Sequence, residues 1–499
     1  MKSFWNTLHK IGDFLHLPDL PAWLVGILAL VIILRVPSFF EPYYYGDEMI
    51  YLTLGQGVRQ GVTLYKDIYD NKPPLLYLTA AVAGNLFWFK VILAAWNVIT
   101  IILFYKLSEL IFKKNKWAVG LSTLFFSLAT TLPTFEGLTV NSELFMIGFT
   151  ILALLILLKE NLTFKKVFVA GILLGLGTLF KIPAAFDAPV IVFYWFITGG
   201  FSQWKKILKK SFILFAGFVT PILLVAIYYF SQGALQIFFN TVFLQNLGYL
   251  SSYRPGDIQK PFLIKEGPLL IRALVVTVGV STLYFFRNRL SKKFILFSVW
   301  TFLTLFAVTL SERPYPHYFI QTTAPVSFLL AMFFTEKSLE QVFTIIPLAV
   351  AAFIPFYFKF YEYPVVPYYQ RFVNLVSGRI NKDNYLQSFD TNTIRNYQVA
   401  NFLAVSSNPN DKVFVWDPAS PTIYALSRRI PPVKYVVPYH VYDYSNTKSL
   451  ATDLVKQLPK FIVLSANYPY PEIVPLIQKK YLLIQQIDDL NIYVKTNSF

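Results

Sequence analysis

The stretch "EPYYYGDEMIYLTLGQGVRQGVTLYKDIYDNKPPLLY", residues 41–77, follows a long apolar run and sets Asp47, Glu48, Arg59, Asp67, Asp70 and Lys72 among tyrosines. Ionisable groups at the edge of a hydrophobic segment are expensive, and they usually pair with one another or face a polar cavity. The surrounding composition says what kind of edge this is. The chain has 499 residues, 55% of them hydrophobic and only 14% charged. Such a balance places most of it in lipid and excludes an ordinary soluble enzyme. Its 18% aromatic content suits repeated crossings, because Tyr and Trp rings favour the boundary between hydrocarbon and water.

A helix needs about 20 mostly apolar residues to cross the hydrocarbon core, and about eleven such runs are present. They fall at 22–40, 91–112, 117–132, 142–158, 167–180, 184–198, 212–230, 269–286, 294–310, 318–334 and 342–358. The net charge of +17 comes from short basic clusters in alternate connections: "KKNK" at 113, "KENLTFKK" at 159, "WKKILKK" at 204 and "RNRLSKK" at 287. The positive-inside rule makes these cytoplasmic, a simpler account of the charge than nucleic-acid binding. It leaves residues 1–21 as a cytoplasmic amphipathic N-terminus. On the outer face it puts the loop 41–77, the loops 133–141 and 231–266, the turn "SERPYPHY" and everything after about residue 359. The sequence has no cysteine, so neither disulfides nor thiolate metal sites are available.

The division expected is a membrane region over 22–360 and an extracytoplasmic domain over 361–499. In the latter, "DKVFVWD" and "KFIVLS" read as short strands, and "NTIRNYQVANFLAVSS" and "TKSLATDLVKQL" carry helical spacing. Strands alternating with helices suggest an α/β layer.

The outer-face residues suggest phosphate and proton chemistry. Asp47 and Glu48 open a short helix one residue apart, so they point in different directions; Asp47 reads equally as a helix cap. Lys72 precedes a stiff Pro-Pro, which suits a fixed ammonium for a phosphate or an interface lysine. Arg313 and His317 flank "PYP", either as a rigid rim that meets phosphate oxygens or as a plain surface turn. Lys181 ends an apolar run and is either a snorkelling residue or a cavity cation. Glu143 starts a helix, where the dipole also favours a carboxylate. Arg59, Asp70, Glu143 and Tyr315 are candidates for substrate binding. These groups are expected to gather in one outer pocket. A secondary transporter or lipid flippase would also use charges in a bundle, but no matching halves are visible and the charges lie at one face.

The Asp47-Glu48 pair, "YKDIYDNKPPLLY" at 65–77, "EGLTVNSELFM" at 136–146, "RPYPHYFIQ" at 313–321 and "VFVWDPASPTIYALSRRIPPVKY" at 413–435 together resemble the bacterial branch of the GT-C glycosyltransferases. That branch is related to the protein O-mannosyltransferases and aminoarabinose transferases, and the resemblance covers Arg35 to about Phe334 and the tail segment. It implies a membrane-embedded GT-C-like catalytic region that moves a sugar from a polyprenyl-phosphate carrier to a protein, lipid-glycan or wall-glycan acceptor outside the cytoplasmic membrane. It also implies Asp47 as general base with Glu48 beside it, and Lys72, Arg313, His317 and Lys181 around the donor phosphate. The aminoarabinose branch carries an acid directly before Lys-Pro. Here Asn71 stands in that place, with Asp70 one position earlier, so no metal is assigned, although Asp70 with His317 can supply ligands for a divalent ion.

Overall fold

The computed structural model describes residues 20–113, 115–248, 261–311, 313, 315–357, 359 and 364–496. The amphipathic N-terminus expected before residue 20, Arg254 in the expected loop 231–266, and the expected boundary at 360–361 lie outside the described residues. The chain divides into two compact units. The first comprises Met1–Val36, Leu93–Ala226 and Asn246–Val365; the second comprises Pro37–Ile92, Ile227–Gln245 and Val366–Phe499.

In chain order the helices that matter are α1 (Ala22–Arg35), α2 (Gly46–Arg59), α3 (Leu75–Ala83), α4 (Leu86–Phe112), α5 (Lys116–Ala129), α6 (Ser142–Leu157), α7 (Phe164–Phe180), α8 (Ala188–Gly199) and α9 (Trp204–Ser231). They continue with α10 (Gly267–Phe285), α11 (Lys292–Val308), α12 (Ile320–Thr335), α13 (Ile345–Tyr357), α14 (Thr393–Ser406), α15 (Ser420–Ser427), α16 (Pro438–Tyr444) and α17 (Thr447–Gln457). Every apolar run of the sequence becomes a helix. Among the described residues, seven helical segments are long and apolar enough to cross a membrane: Ala22–Phe40, Leu86–Phe112, Ile182–Gly199, Phe201–Ser231, Gly267–Phe285, Pro316–Thr335 and Leu339–Tyr357. The other four expected spans fall on the shorter helices α5, α6, α7 and α11.

In the first unit, close helix contacts rely on small residues. A Cβ on Gly171 of α7 would stand 2.2 Å from the Leu214 carbonyl oxygen of α9, and one on Gly217 would stand 2.1 Å from that of Phe168. Backbones that touch in this way gain packing that lipid does not supply. Gly217→Val is expected to prise α7 from α9 and lower the yield of monodisperse protein in detergent; a wild-type yield and melting temperature would contradict the contact. Two buried charged groups find their partners inside the unit. Buried Arg35 donates to the carbonyls of Thr130 (3.0 Å) and Gly137 (2.9 Å), tying α1 to the segment after α5. The Asp187 carboxylate accepts from Trp300 Nε1, Thr150 Oγ1 and Gln321 Nε2.

The second unit carries a four-stranded sheet: β1 (Val413–Trp416), β2 (Phe461–Ser465), β3 (Tyr481–Ile487) and β4 (Leu490–Lys495), in the order β1-β2-β4-β3. β1 and β2 are parallel, and β4 runs antiparallel to both β2 and β3. The strands read from "DKVFVWD" and "KFIVLS" are β1 and β2, and the two helical segments read beside them are α14 and α17. The closing hairpin is an addition to that reading, turned at Asp488 with φ 50. Buried Arg395 of α14 fixes this end of the domain by donating to Asp417 after β1 (3.1 Å) and to Asp489 in the hairpin turn.

Candidate active site

In the second unit, α2 begins immediately after three tyrosines, with Asp47 and Glu48 in its first turn. Residues four apart share a helix face, so Tyr51 lies over Asp47 and its hydroxyl donates to Asp47 Oδ2 at 2.8 Å. The loop that follows folds back tightly. Thr63 and Asp67 exchange hydrogen bonds, and the Tyr65 amide donates to the Ile68 carbonyl at 2.7 Å. Tyr65 is fully buried and holds φ 70, a left-handed conformation that a bulky side chain adopts at a strain of about 1–3 kcal/mol. Its hydroxyl donates to the Lys72 carbonyl at 2.8 Å. Pro73 and Pro74 then stop the loop and start α3, which delivers Tyr77. The Tyr77 oxygen accepts the Lys72 amide (3.1 Å), and its proton goes to Asp70 Oδ2 (2.8 Å).

The backbone thus holds Lys72 from two sides, and its ammonium falls between two carboxylates. Nζ stands 3.3 Å from Asp47 Oδ2 and 3.8 Å from Asp70 Oδ2, with the Tyr51 ring 4.9 Å below it. Asp70 is 2% exposed, whereas Asp47 retains 32% and Lys72 21%, so the reachable part of the cluster is the Asp47–Lys72 edge. Burial, then the charges of Asp47 and Asp70, push the Tyr51 phenol well above its ordinary pKa. Burial and Asp70 do the same to Tyr77. Both tyrosines therefore stay protonated as donors to the carboxylates.

Asp70 is already engaged. Its oxygens accept from the Asn71 amide (2.8 Å) and from Tyr77, and they face Lys72 and, at 3.7 Å, His440 Nε2. A divalent cation there would have to displace an ammonium and two donors, so this donor set does not fit a metal. Among the described residues no group of three or more His, Asp or Glu side chains is arranged to hold a metal ion.

Glu48 points away from Asp47, as a turn of about 100° per residue requires. It is fully buried and paired with Lys90 at 2.7 Å, and the same ammonium meets Glu41 at 2.8 Å. Arg59 closes α2 at the far end, about 18 Å from Asp47 by helical rise, with its guanidinium over Gly84. It is not brought to the Asp47 cluster.

The first unit gathers a second set. His317 Nδ1 is hydrogen-bonded to Glu136, its Nε2 lies 3.9 Å from Glu143, and Glu143 in turn pairs with Lys181. The Lys181 ammonium rests 3.7 Å over the Tyr318 ring, and Asn141 donates to Glu136 at 3.3 Å. Glu136 takes a left-handed backbone (φ 55) at the end of the turn after α5, which aims it at His317. Tyr315 is exposed and stacks on His317 at 5.7 Å. Arg313 is half-buried, and its amide donates to Ser311 Oγ at 3.4 Å.

Solved structures resemble this architecture over nearly its whole length. ArnT from Cupriavidus metallidurans bound to undecaprenyl phosphate aligns at TM-score 0.57 and 13% identity, covering 95% of this chain and 98% of that one. The same protein in the apo state aligns at 0.55, with equal identity and coverage. The chain has the GT-C fold. The Archaeoglobus fulgidus oligosaccharyltransferase in complex with Zn and sulfate aligns at 0.46 and 14% identity over 95% of this GT-C chain and 73% of its own. The family described as the putative competence-induced protein Ccs4 C-terminal domain matches residues 394–496, the part that holds α14 and the sheet. No curated protein sequence matches the chain.

Several residues of this site escape a reading of the sequence. Tyr51 was findable from its spacing to Asp47. Lys90 was findable as a lysine inside "LFWFKVIL", since a cation in an apolar run needs an anion. His440, in "PYHVYDY", carries no local signal; the parallel bridge from Tyr69 to Tyr435 and the Asn71–Tyr444 hydrogen bond bring it to Asp70.

Proposed function

We propose that this protein is a glycosyltransferase of the cytoplasmic membrane that moves a sugar from a polyprenyl-phosphate donor to a protein, lipid-glycan or wall-glycan acceptor on the outer face. In this reading it crosses the membrane about eleven times, with its N-terminus cytoplasmic and residues 361–499 outside. The GT-C fold and the resemblance of its loops support the reaction class. One observation carries the reading: a partly exposed carboxylate and a backbone-anchored ammonium lie 3.3 Å apart at Asp47 and Lys72. A transporter has no comparable feature in its favour.

Transfer from a lipid phosphate needs a base for the incoming hydroxyl and a cation for the departing phosphate. The acceptor oxygen bonds to the anomeric carbon as the bond from that carbon to the phosphate oxygen breaks, which inverts the centre. The proton passes to Asp47. The electron pair leaves with the polyprenyl phosphate, whose charge is met by Lys72. An ammonium has three donors, and Lys72 can turn one of them from Asp47 to a phosphate oxygen without leaving Asp70. Glu48 supports this arrangement by locking α2 through Lys90. Lys181, Arg313 and His317 are assigned to phosphate binding, and Glu143 and Tyr315 to substrate contacts, whereas Asp70 acts from behind Lys72 and Arg59, at the far end of α2, takes no part.

Undecaprenyl phosphate itself is a suitable probe, because it is the leaving group whatever the sugar. A charged hydrogen bond contributes about 1.5–3 kcal/mol, so Lys72→Ala is expected to weaken undecaprenyl phosphate binding by about tenfold or more. Asp47→Asn is expected to leave it near wild type. Binding by Lys72→Ala equal to wild type would overturn the phosphate role.

A further inference from the structure

His440 of α16 is brought beside Asp70, with the Tyr444 phenol of the same helix also within reach of the Asp70 charge. His440 is 4% exposed, with Nε2 3.7 Å from Asp70 Oδ1. Its Nδ1 is buried with no hydrogen-bond partner among the described residues. The ring packs edge-on against Tyr69 (5.3 Å) and Tyr439 (4.5 Å). The loop is tied to the same segment by backbone and side chain: the Tyr69 amide donates to the Lys434 carbonyl (2.9 Å), and Asn71 Nδ2 donates to the Tyr444 hydroxyl (3.3 Å). A buried nitrogen without a partner is destabilising. A phenylalanine would fill this place in the aromatic stack without that penalty. What histidine offers at this position and phenylalanine does not is its other nitrogen, beside Asp70.

We propose that His440 is a positioning residue of the transfer site, its Nε2–H directed at Asp70 so that Asp70 and the Lys72 ammonium stay in register with Asp47. The inference rests on the transferase reading above and gives the C-terminal domain a part in it. The charge environment agrees. Burial lowers the His440 pKa below its ordinary value and Lys72 adds to this, while Asp70, Asp47 and Asp443 oppose. The imidazole is thus neutral at physiological pH with one proton to place. Beside a carboxylate that proton belongs on Nε2, which leaves Nδ1 a bare acceptor. As pH falls, protonation puts a second cation beside Lys72 and in competition with it for Asp70.

The test uses the full chain in lipid and separates this inference from the reading beneath it. The sequence has four histidines, so ¹⁵N-histidine labelling with His440→Phe as the assignment control isolates one imidazole. Its midpoint is expected below about 6.5, the ordinary histidine value, and lower still in Asp70→Asn, which removes an opposing charge. A midpoint indifferent to Asp70→Asn overturns the inference without any turnover being needed. In release of undecaprenyl phosphate from undecaprenyl-phosphate sugars, His440→Phe is expected to lose on the order of 10- to 100-fold, as displaced catalytic groups do. His440→Gln, which keeps an N–H near the Nε2 position, is expected to recover most of that. In an Asp70→Asn background, His440→Phe is expected to add no further loss, because the residue acts through Asp70. Equal failure of Phe and Gln in folded protein, or an additive double variant, means packing alone and overturns positioning. Wild-type transfer by Asp47→Asn defeats the base assignment instead, and the His440–Asp70 titration still decides this one.

Discussion

Asp47→Asn is expected to transfer sugar about 10²- to 10⁴-fold more slowly than wild type, the usual loss when a positioned base is removed. Its melting temperature is expected to stay close to wild type. The substitution keeps an oxygen to accept the Tyr51 hydroxyl and leaves Lys72 its pairing with Asp70, so only the charge and basicity at position 47 are lost. Asp47 also sits in the first turn of α2, where a carboxylate gains about 0.3–1 kcal/mol from the helix dipole. That is too little to unfold the protein and far too little to explain a thousandfold rate loss. Measuring turnover and thermal unfolding on one preparation distinguishes the two effects. Turnover near wild type removes Asp47 from the chemistry, and a collapse in melting temperature makes it a structural residue.

The second large effect is on stability. Lys90 is buried between Glu41 and Glu48, and the Glu41 carboxylate is further held by the Tyr368 hydroxyl. Lys90→Met removes the cation that pairs with both of these carboxylates. Breaking a buried ion pair on one side costs about 3–5 kcal/mol, because the remaining charge keeps its desolvation penalty. Lys90→Met is therefore expected to melt well below wild type in detergent or to fail to accumulate. Adding Glu41→Gln and Glu48→Gln is expected to return much of the loss, since neutral amides carry no such penalty. A single variant as stable as wild type, or a triple variant no better than the single one, contradicts the buried-triad account.

Much of the architecture is legible in the chain because hydrocarbon allows few solutions. Each of the eleven apolar runs is a helix, since a backbone in lipid must satisfy its own hydrogen bonds. Length is less legible than presence: α5, α6, α7 and α11 stop at 14 to 17 residues, where polar turns such as "TTLPTFEGL" interrupt the run. β1 and β2 are visible as β-branched runs. The β3–β4 hairpin is not, because "YLLIQQIDDLNIYVK" alternates weakly and its turn is made by two aspartates instead of Asn-Gly.

For the site, the pairing of Asp47 with Lys72 follows from a loop that folds back along α2 and is held there by the Tyr65 and Tyr77 hydroxyls on the Lys72 backbone. The divergence of Glu48 follows from helix geometry. What sequence spacing does not give are meetings across hundreds of residues, such as His440 with Asp70, or the Glu136–His317 bond across the first unit. Those depend on which loops pack together, and no local pattern encodes that.

The most direct measurement is release of free undecaprenyl phosphate from undecaprenyl-phosphate-linked sugars by the purified full-length chain in liposomes, with and without a bacterial cell-envelope fraction as acceptor. At least one donor is expected to be consumed, release is expected to rise with acceptor, and Asp47→Asn is expected to abolish most of it. If wild type and Asp47→Asn release undecaprenyl phosphate equally from every donor offered, the Asp47–Lys72 cluster is not a glycosyl-transfer site.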